Sequence, residues 1–180
     1  ERGQIENTYA ERAQEMVLDG TGKPLSSVTT SEIDLKEEVA KAPQERRLPL
    51  YVFTEKDGKK YYIVPLRGVG LWGPIWGYIS LQEDFNTVYG SFFFFLIETP
   101  GLGAEIAELP FQEQFQGKKI MSDEGQFVSV NVVKKTDKVN YGNEHRVDAI
   151  SGGTITSRGT NDMIKNGTAP YLAYFEKVKK

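Results

Sequence analysis

The stretch from Leu48 to Ile97 restricts this chain more than any other part of it. Its β-branched and aromatic residues come in short runs separated by turn residues, which is the texture of strands on a pleated, partly buried surface. Leu50-Tyr51-Val52-Phe53-Thr54, the turn signal Asp57-Gly58, and Tyr61-Tyr62-Ile63-Val64-Pro65-Leu66 together predict a hairpin. Val88 to Ile97 predicts a further strand. Between them, Gly68-Val69-Gly70-Leu71-Trp72-Gly73-Pro74-Ile75-Trp76-Gly77-Tyr78-Ile79 sets glycines and a proline among large apolar side chains. Glycine at that density weakens a strand and marks a close approach of backbone or ligand.

The flanks are helical in pattern. Tyr9, Ala13, Met16 and Val17 recur at helical spacing, so Asn7 to Leu18 reads as an amphipathic helix, followed by a turn at Asp19-Gly20-Thr21-Gly22. A second helix is expected over Ile33 to Val39, with Ser31 before it, acidic residues in its first turn, and Pro43 ending it. Beyond Ile97, Ala104 to Leu109 predicts a short helix, Phe127 to Val133 a half-buried strand and Val147 to Ile150 a short strand. About Ser157 to Val178 is helical, interrupted by Gly167 and Pro170. Helices, a strand meander, then helices point to an α+β fold, a single domain with an antiparallel or mixed sheet and flanking helices, rather than a doubly wound sheet. Residues 1–48 read as an N-terminal helical segment and 49–180 as the main domain.

Composition removes several function classes. The chain has 180 residues and a net charge of −3 with its basic residues dispersed, so it lacks the electrostatic footprint of a nucleic-acid binder. It has no cysteine, which excludes disulfides, thiolate metal sites and iron–sulfur clusters; redox work would need a borrowed cofactor. A single histidine, His145, cannot build a histidine-rich metal site. The longest apolar run, Val88 to Ile97, falls far short of the roughly 20 residues of a spanning helix. The start at Glu1, without an initiator methionine, raises the expectation of a removed signal, anchor or other N-terminal piece.

Three segments can carry chemistry. Asp148-Ala149-Ile150-Ser151-Gly152-Gly153-Thr154-Ile155-Thr156-Ser157 places hydroxyl side chains around two glycines, between a short strand and a helix start. Backbone N–H groups of such a loop and the helix macrodipole suit a phosphate. A plain strand-to-helix turn with Thr156 or Ser157 as N-cap fits the same residues. In Glu98-Thr99-Pro100-Gly101-Leu102-Gly103, the proline and glycines fix an unusual backbone path, while Glu98 and Thr99 offer an acceptor and a hydroxyl; a rigid turn is the simpler reading. The Trp72 and Trp76 segment can wall a planar ring or fill a core. A hydrolase would need His145 with Asp148 and Ser151, but their closeness is that of sequence neighbours, and His145 is expected to be structural or on the surface.

Taken in order, these three segments resemble the FMN-binding domains. The signature Asp-x-x-Ser/Thr-Gly-Ala-Thr marks flavinylation in the C subunit of the Na+-translocating NADH:quinone oxidoreductase and the G subunit of the related Rnf complex. It stands here as Asp148-Ala149-Ile150-Ser151-Gly152-Gly153-Thr154. Glu98-Thr99-Pro100-Gly101-Leu102-Gly103 and Gly70-Leu71-Trp72-Gly73 resemble the companion motifs, and Gly-Leu-Trp-Gly-Pro-Ile-Trp-Gly is most similar to the C subunit. The resemblance covers about 49–164. Gly153 replaces the signature's alanine, and Leu96 stands where many relatives carry a polar residue, often His.

The resemblance implies an electron-transfer subunit with FMN joined as a phosphoester to Thr154. Asp148, Ser151, Gly152, Gly153, Thr156, Glu98, Thr99, Gly101, Leu102 and Trp72 would surround the cofactor, Trp72 and Leu102 bordering the isoalloxazine. The chain would supply no metal ligands and no catalytic residues of its own. Further implied are a flavin transferase that uses FAD and a divalent metal, partner subunits of a membrane oxidoreductase, and a single N-terminal membrane helix. The domain would lie on the periplasmic side of the inner membrane. An Rnf-type G subunit, or a non-redox extracytoplasmic binding or assembly module with an unmodified ligand, remain the alternatives.

Overall fold

The structure, a computed structural model, describes residues 8–137 and 142–179. Five antiparallel strands form the main sheet in sequential order: β1 (Ala13–Leu18), β2 (Leu48–Thr54), β3 (Lys60–Val69), β4 (Pro74–Leu81) and β5 (Val88–Phe95). The expected hairpin is β2–β3, with Tyr51 opposite Ile63 and Phe53 opposite Tyr61. Its turn contains Gly58 at φ 89°, a conformation that glycine adopts without a Cβ penalty. The meander and its helices confirm the α+β class.

Alternation along the strands builds the core. Leu50, Val64, Leu66, Ile75, Ile79 and Phe93 point to one face and are fully enclosed. That face is covered by α3 (Thr154–Thr168) through Met163 and Ile164 and by α4 (Leu172–Val178) through Phe175. The helix α3 comes unusually close to β3. A Cβ on Gly159 would overlap the Val69 carbonyl, and one on Gly68 would press on Met163. This glycine contact lays the first half of α3 against the end of β3 and brings the helix N-terminus to the loop that follows.

Several elements differ from the sequence reading. The helix expected over Asn7 to Leu18 is helical only at 8–12 among the described residues, and Ala13–Leu18 is an edge strand paired with β2. The ladder of β2 and burial of Val17 and Leu18 outweigh the helical spacing of the apolar residues. The next helix, α1 (Leu35–Ala40), is capped by Asp34, whose carboxylate accepts from the Lys36 amide at 2.8 Å; Ser31 lies in a preceding 3₁₀ turn. The strand expected over Phe127 to Val133 shrinks to β6 (Asn131–Val133), because Ser129 takes φ 64° and breaks the extended path. β6 pairs in parallel with β7 (Arg146–Asp148). A short helix α2 (Leu109–Gln112) follows a 3₁₀ turn at Gly103–Ala107.

The final helical region starts at Thr154, not near Ser157. Gly167 stays inside α3, and the interruption falls at a 3₁₀ turn over Ala169–Tyr171, where Pro170 cannot donate to the helix ladder.

Candidate functional site

The strand β7 delivers Asp148 to the loop that opens α3. Gly152 stands at φ 74°, the Gly153 amide closes a turn on the Ile150 carbonyl at 3.1 Å, and Gly153 is the N-cap. The first intrahelical bond runs from the Ser157 amide to the Gly153 carbonyl, and no side chain caps the end. The N–H groups of Thr154, Ile155 and Thr156 therefore stand free of intrahelical partners at the positive end of a 15-residue helix. Such an end receives an anion without rearrangement.

The hydroxyls of the loop are not equivalent. Ser157 Oγ is buried and accepts from the Ile150 amide at 3.0 Å. Thr156 is 1% exposed; its Oγ1 donates to Glu98 Oε2 at 2.9 Å and accepts from the Leu71 amide at 3.3 Å. Neither caps the helix, contrary to the turn-and-cap reading, because the helix begins before them and both side chains are drawn inward. Ser151 is exposed and Thr154, the first helical residue, is half-buried.

Beside Thr154 opens a cavity of about 870 Å³, within the range of ligand pockets. Asp148, Ser151, Gly152, Thr154, Gly101 and Phe111 are among its lining residues. The Asp148 carboxylate pairs with Lys135 Nζ at 3.3 Å, and its amide donates to Gln114 Oε1 at 2.8 Å. Phe111, Gln114, Lys134 and Lys135 belong to the lining but to none of the three motifs. The Lys134-Lys135 pair, following a strand, is the one local signal that would have suggested an anion.

The other two motifs adjoin the same helix end, and Gly101 of the second lines the cavity. Trp72 is 61% exposed, its amide donating to Glu98 Oε1 at 3.3 Å and its indole Nε1 to Thr99 Oγ1 at 3.2 Å. Leu102, 40% exposed, borders Gly152, where a Cβ would meet Leu102 Cδ2 at 2.5 Å. Leu71, Leu96, Ile97 and Ile155 are also exposed and apolar. All three motifs thus converge on the start of α3. Trp72, Glu98, Thr99, Leu102 and Thr156 do not line the cavity; Trp72, Thr99 and Leu102 are exposed next to it, and Glu98 and Thr156 are buried.

His145 is buried, and its Nδ1 bonds the Lys119 carbonyl at 2.8 Å, a structural role that takes it out of any hydrolytic reading. Among the described residues no group of His, Cys, Asp and Glu suited to a metal occurs, and no helix is long and apolar enough to cross a membrane.

Residues 70–169, which include the glycine-bent loop, the uncapped helix end and the residues that line the adjoining cavity, match the FMN-binding domain family. The C subunit of the Na(+)-translocating NADH-quinone reductase of Neisseria meningitidis serogroup A is 31% identical over 191 residues, an alignment covering 93% of this chain and 72% of that protein. The corresponding protein of Chlamydia muridarum is 39% identical over 131 residues, 64% of this chain and 41% of that protein, so the chain spans less than half of the chlamydial relative. The crystal structure of the C subunit from Parabacteroides distasonis superposes with a TM-score of 0.85 at 38% identity, covering 97% of this chain and 84% of that one. The chain belongs to the FMN-binding domain family, among the C subunits of Na+-translocating NADH-quinone reductase.

Proposed function

We propose that Thr154 carries FMN as a phosphoester, and that the domain passes electrons within a membrane Na+-translocating NADH:quinone oxidoreductase. The observation that carries this reading is the state of the loop hydroxyls. Thr156 and Ser157 are buried and engaged, while Thr154 stands at the first helical position beside free N–H groups and the cavity. Between Thr154 and the exposed Ser151, the signature favours Thr154.

The residues present fit such a group. The free amides of Thr154, Ile155 and Thr156 and the helix dipole would hold the phosphate. Gly152 and Gly153 leave the approach to Thr154 open, Ser151 and Gly101 bound it, and Asp148 and its partner Lys135 lie on the rim. Trp72, Thr99 and Leu102 offer an apolar shelf with one hydroxyl for a planar ring. FMN, once bound, supplies reversible uptake and release of electrons.

Attachment is a transfer from FAD. The Thr154 Oγ–P bond forms, the pyrophosphate P–O bond of FAD breaks, the hydroxyl proton goes to a base, and AMP leaves. A threonine hydroxyl is a weak nucleophile, so a separate flavin transferase with a divalent metal supplies the activation. As the resemblance implies, the domain works on the periplasmic side of the inner membrane, held by an N-terminal helix beside the other subunits.

The test is co-production with the transferase. Wild type should carry covalent flavin by intact mass and in-gel fluorescence. Thr154→Val, which keeps the shape and removes the oxygen, should fold and carry none. Covalent flavin retained in Thr154→Val would overturn the reading.

A further inference from the structure

Glu98 is a buried carboxylate, 7% exposed, at the point where all three motifs meet. Its Oε2 accepts from Thr156 Oγ1 at 2.9 Å and its Oε1 from the Trp72 amide at 3.3 Å. The Leu71 amide donates in turn to Thr156 Oγ1 at 3.3 Å. Backbone walls both oxygens: a Cβ on Gly70 would overlap Oε1, and one on Gly103 would overlap Oε2. A carboxylate enclosed in this way has no free side on which to meet a ligand.

We propose that Glu98 is a positioning residue, which fixes through Thr156 the direction of Thr154 and through the Trp72 amide the placement of the indole shelf, without touching flavin. This rests on the reading that Thr154 carries FMN. Thr156 and Thr154 are two residues apart in the first turn of α3, so they face different sides. Drawing Thr156 inward to Glu98 turns Thr154 toward the cavity. The 70–73 loop is held at two further points, Trp72 N on Glu98 and Trp72 Nε1 on Thr99. Burying a carboxylate is expensive, and an apolar residue of similar size often gives equal or better stability. Here the cost is offset by charge-assisted hydrogen bonds and by the nearby helix N-terminus. What an apolar side chain cannot do is bind two loops and a helix end in one register.

The experiment compares purified, flavin-free wild type with Glu98→Gln, Thr156→Val and Thr156→Ser. Each is incubated with transferase, FAD and Mg²⁺, and the rate of covalent attachment and the visible circular dichroism of the attached flavin are recorded. Hydrogen exchange of the flavin-free proteins is measured alongside. Glu98→Gln and Thr156→Val should keep the far-ultraviolet spectrum of wild type and attach flavin more slowly. Their flavin dichroism should be altered. The Trp72 amide should exchange faster in Glu98→Gln, where its carboxylate acceptor becomes a neutral amide, and the Leu71 amide about tenfold faster in Thr156→Val, where its hydroxyl acceptor is lost. Thr156→Ser, which keeps the hydroxyl, should restore all three readouts. Wild-type rate, dichroism and exchange in both Glu98→Gln and Thr156→Val would overturn the proposal. If Glu98→Gln does not fold, the Thr156 pair decides. If wild type takes no flavin at Thr154, the reading beneath fails, and the positioning of the 70–73 loop still stands or falls on the exchange of Leu71 and Trp72.

Discussion

At the scale of single residues, the site depends on glycines placed where a side chain would collide. Gly152 combines φ 74° with contact against Leu102. Gly152→Ala is expected to lower stability by more than about 1 kcal/mol, since the backbone is strained and Leu102 must move. Urea unfolding should show a lower midpoint at unchanged slope. Thr156→Val removes the buried hydroxyl that serves both Glu98 and the Leu71 amide. It is expected to cost about 1–3 kcal/mol, the range for stranding a buried polar partner rather than for losing a cap. A cost of only a few tenths, measured in the same way, would return Thr156 to the role of ordinary turn residue. Sequence alone assigned the four hydroxyls by position. Their division into engaged and available depends on the Ile150 amide for Ser157 and on Glu98 for Thr156, the latter far along the chain and joined to it only by the fold.

At the scale of elements, the approach of α3 to β3 sets the height of the site. Gly159→Ala should push the helix off the Val69 carbonyl and cost about 1–3 kcal/mol as an overpacked contact, read as a fall in thermal midpoint. The segment before β2 is held by another buried carboxylate, Glu38, 1% exposed and bonded to Lys41 and to the amide and guanidinium of Arg47. Burial pushes the Glu38 carboxyl up, but the Arg47 amide, Lys41 and the Arg47 side chain outweigh it, and the net shift is downward. A carboxyl depressed in the folded state stabilises above its unfolded value, about 4.3, and that contribution is lost as pH falls through the folded value. Glu38→Gln should therefore be less stable than wild type at neutral pH, and the gap should narrow as pH falls below about 4.3. A gap that stays constant through the acid range would mean that the charge is not what Glu38 contributes. The β2–β3 hairpin and β5 were legible because alternation and turn residues agree there with the final packing. β4 was not read as a strand, since the glycines and proline among its apolar residues weaken the strand signal although Pro74–Leu81 pairs on both sides. β1 was not, since its apolar residues fit a helix equally well and the pairing edge that decides between them lies about 30 residues away in sequence, as the Leu18–Leu48 pair shows.

At the scale of the whole molecule, the fold gathers three short motifs from separate stretches around one helix end. Their order was readable, and so was the α+β class. The shelf of Trp72, Thr99 and Leu102 and the rim of Asp148, Ser151, Gly152 and Thr154 were named from sequence. Which of them would line the cavity and which would not was unreadable, because a motif carries no information on which way its side chains turn once packed. Phe111 and Gln114, which also line the cavity, come from segments without local signature and are visible only after folding. The proposed role of the whole domain depends on one covalent bond. Wild-type protein co-produced with the transferase, digested, and fragmented by tandem mass spectrometry should place one FMN phosphoester on Thr154 within the peptide that spans Ser151 to Ser157. A flavin found on Ser151, or a peptide that carries none, would contradict it.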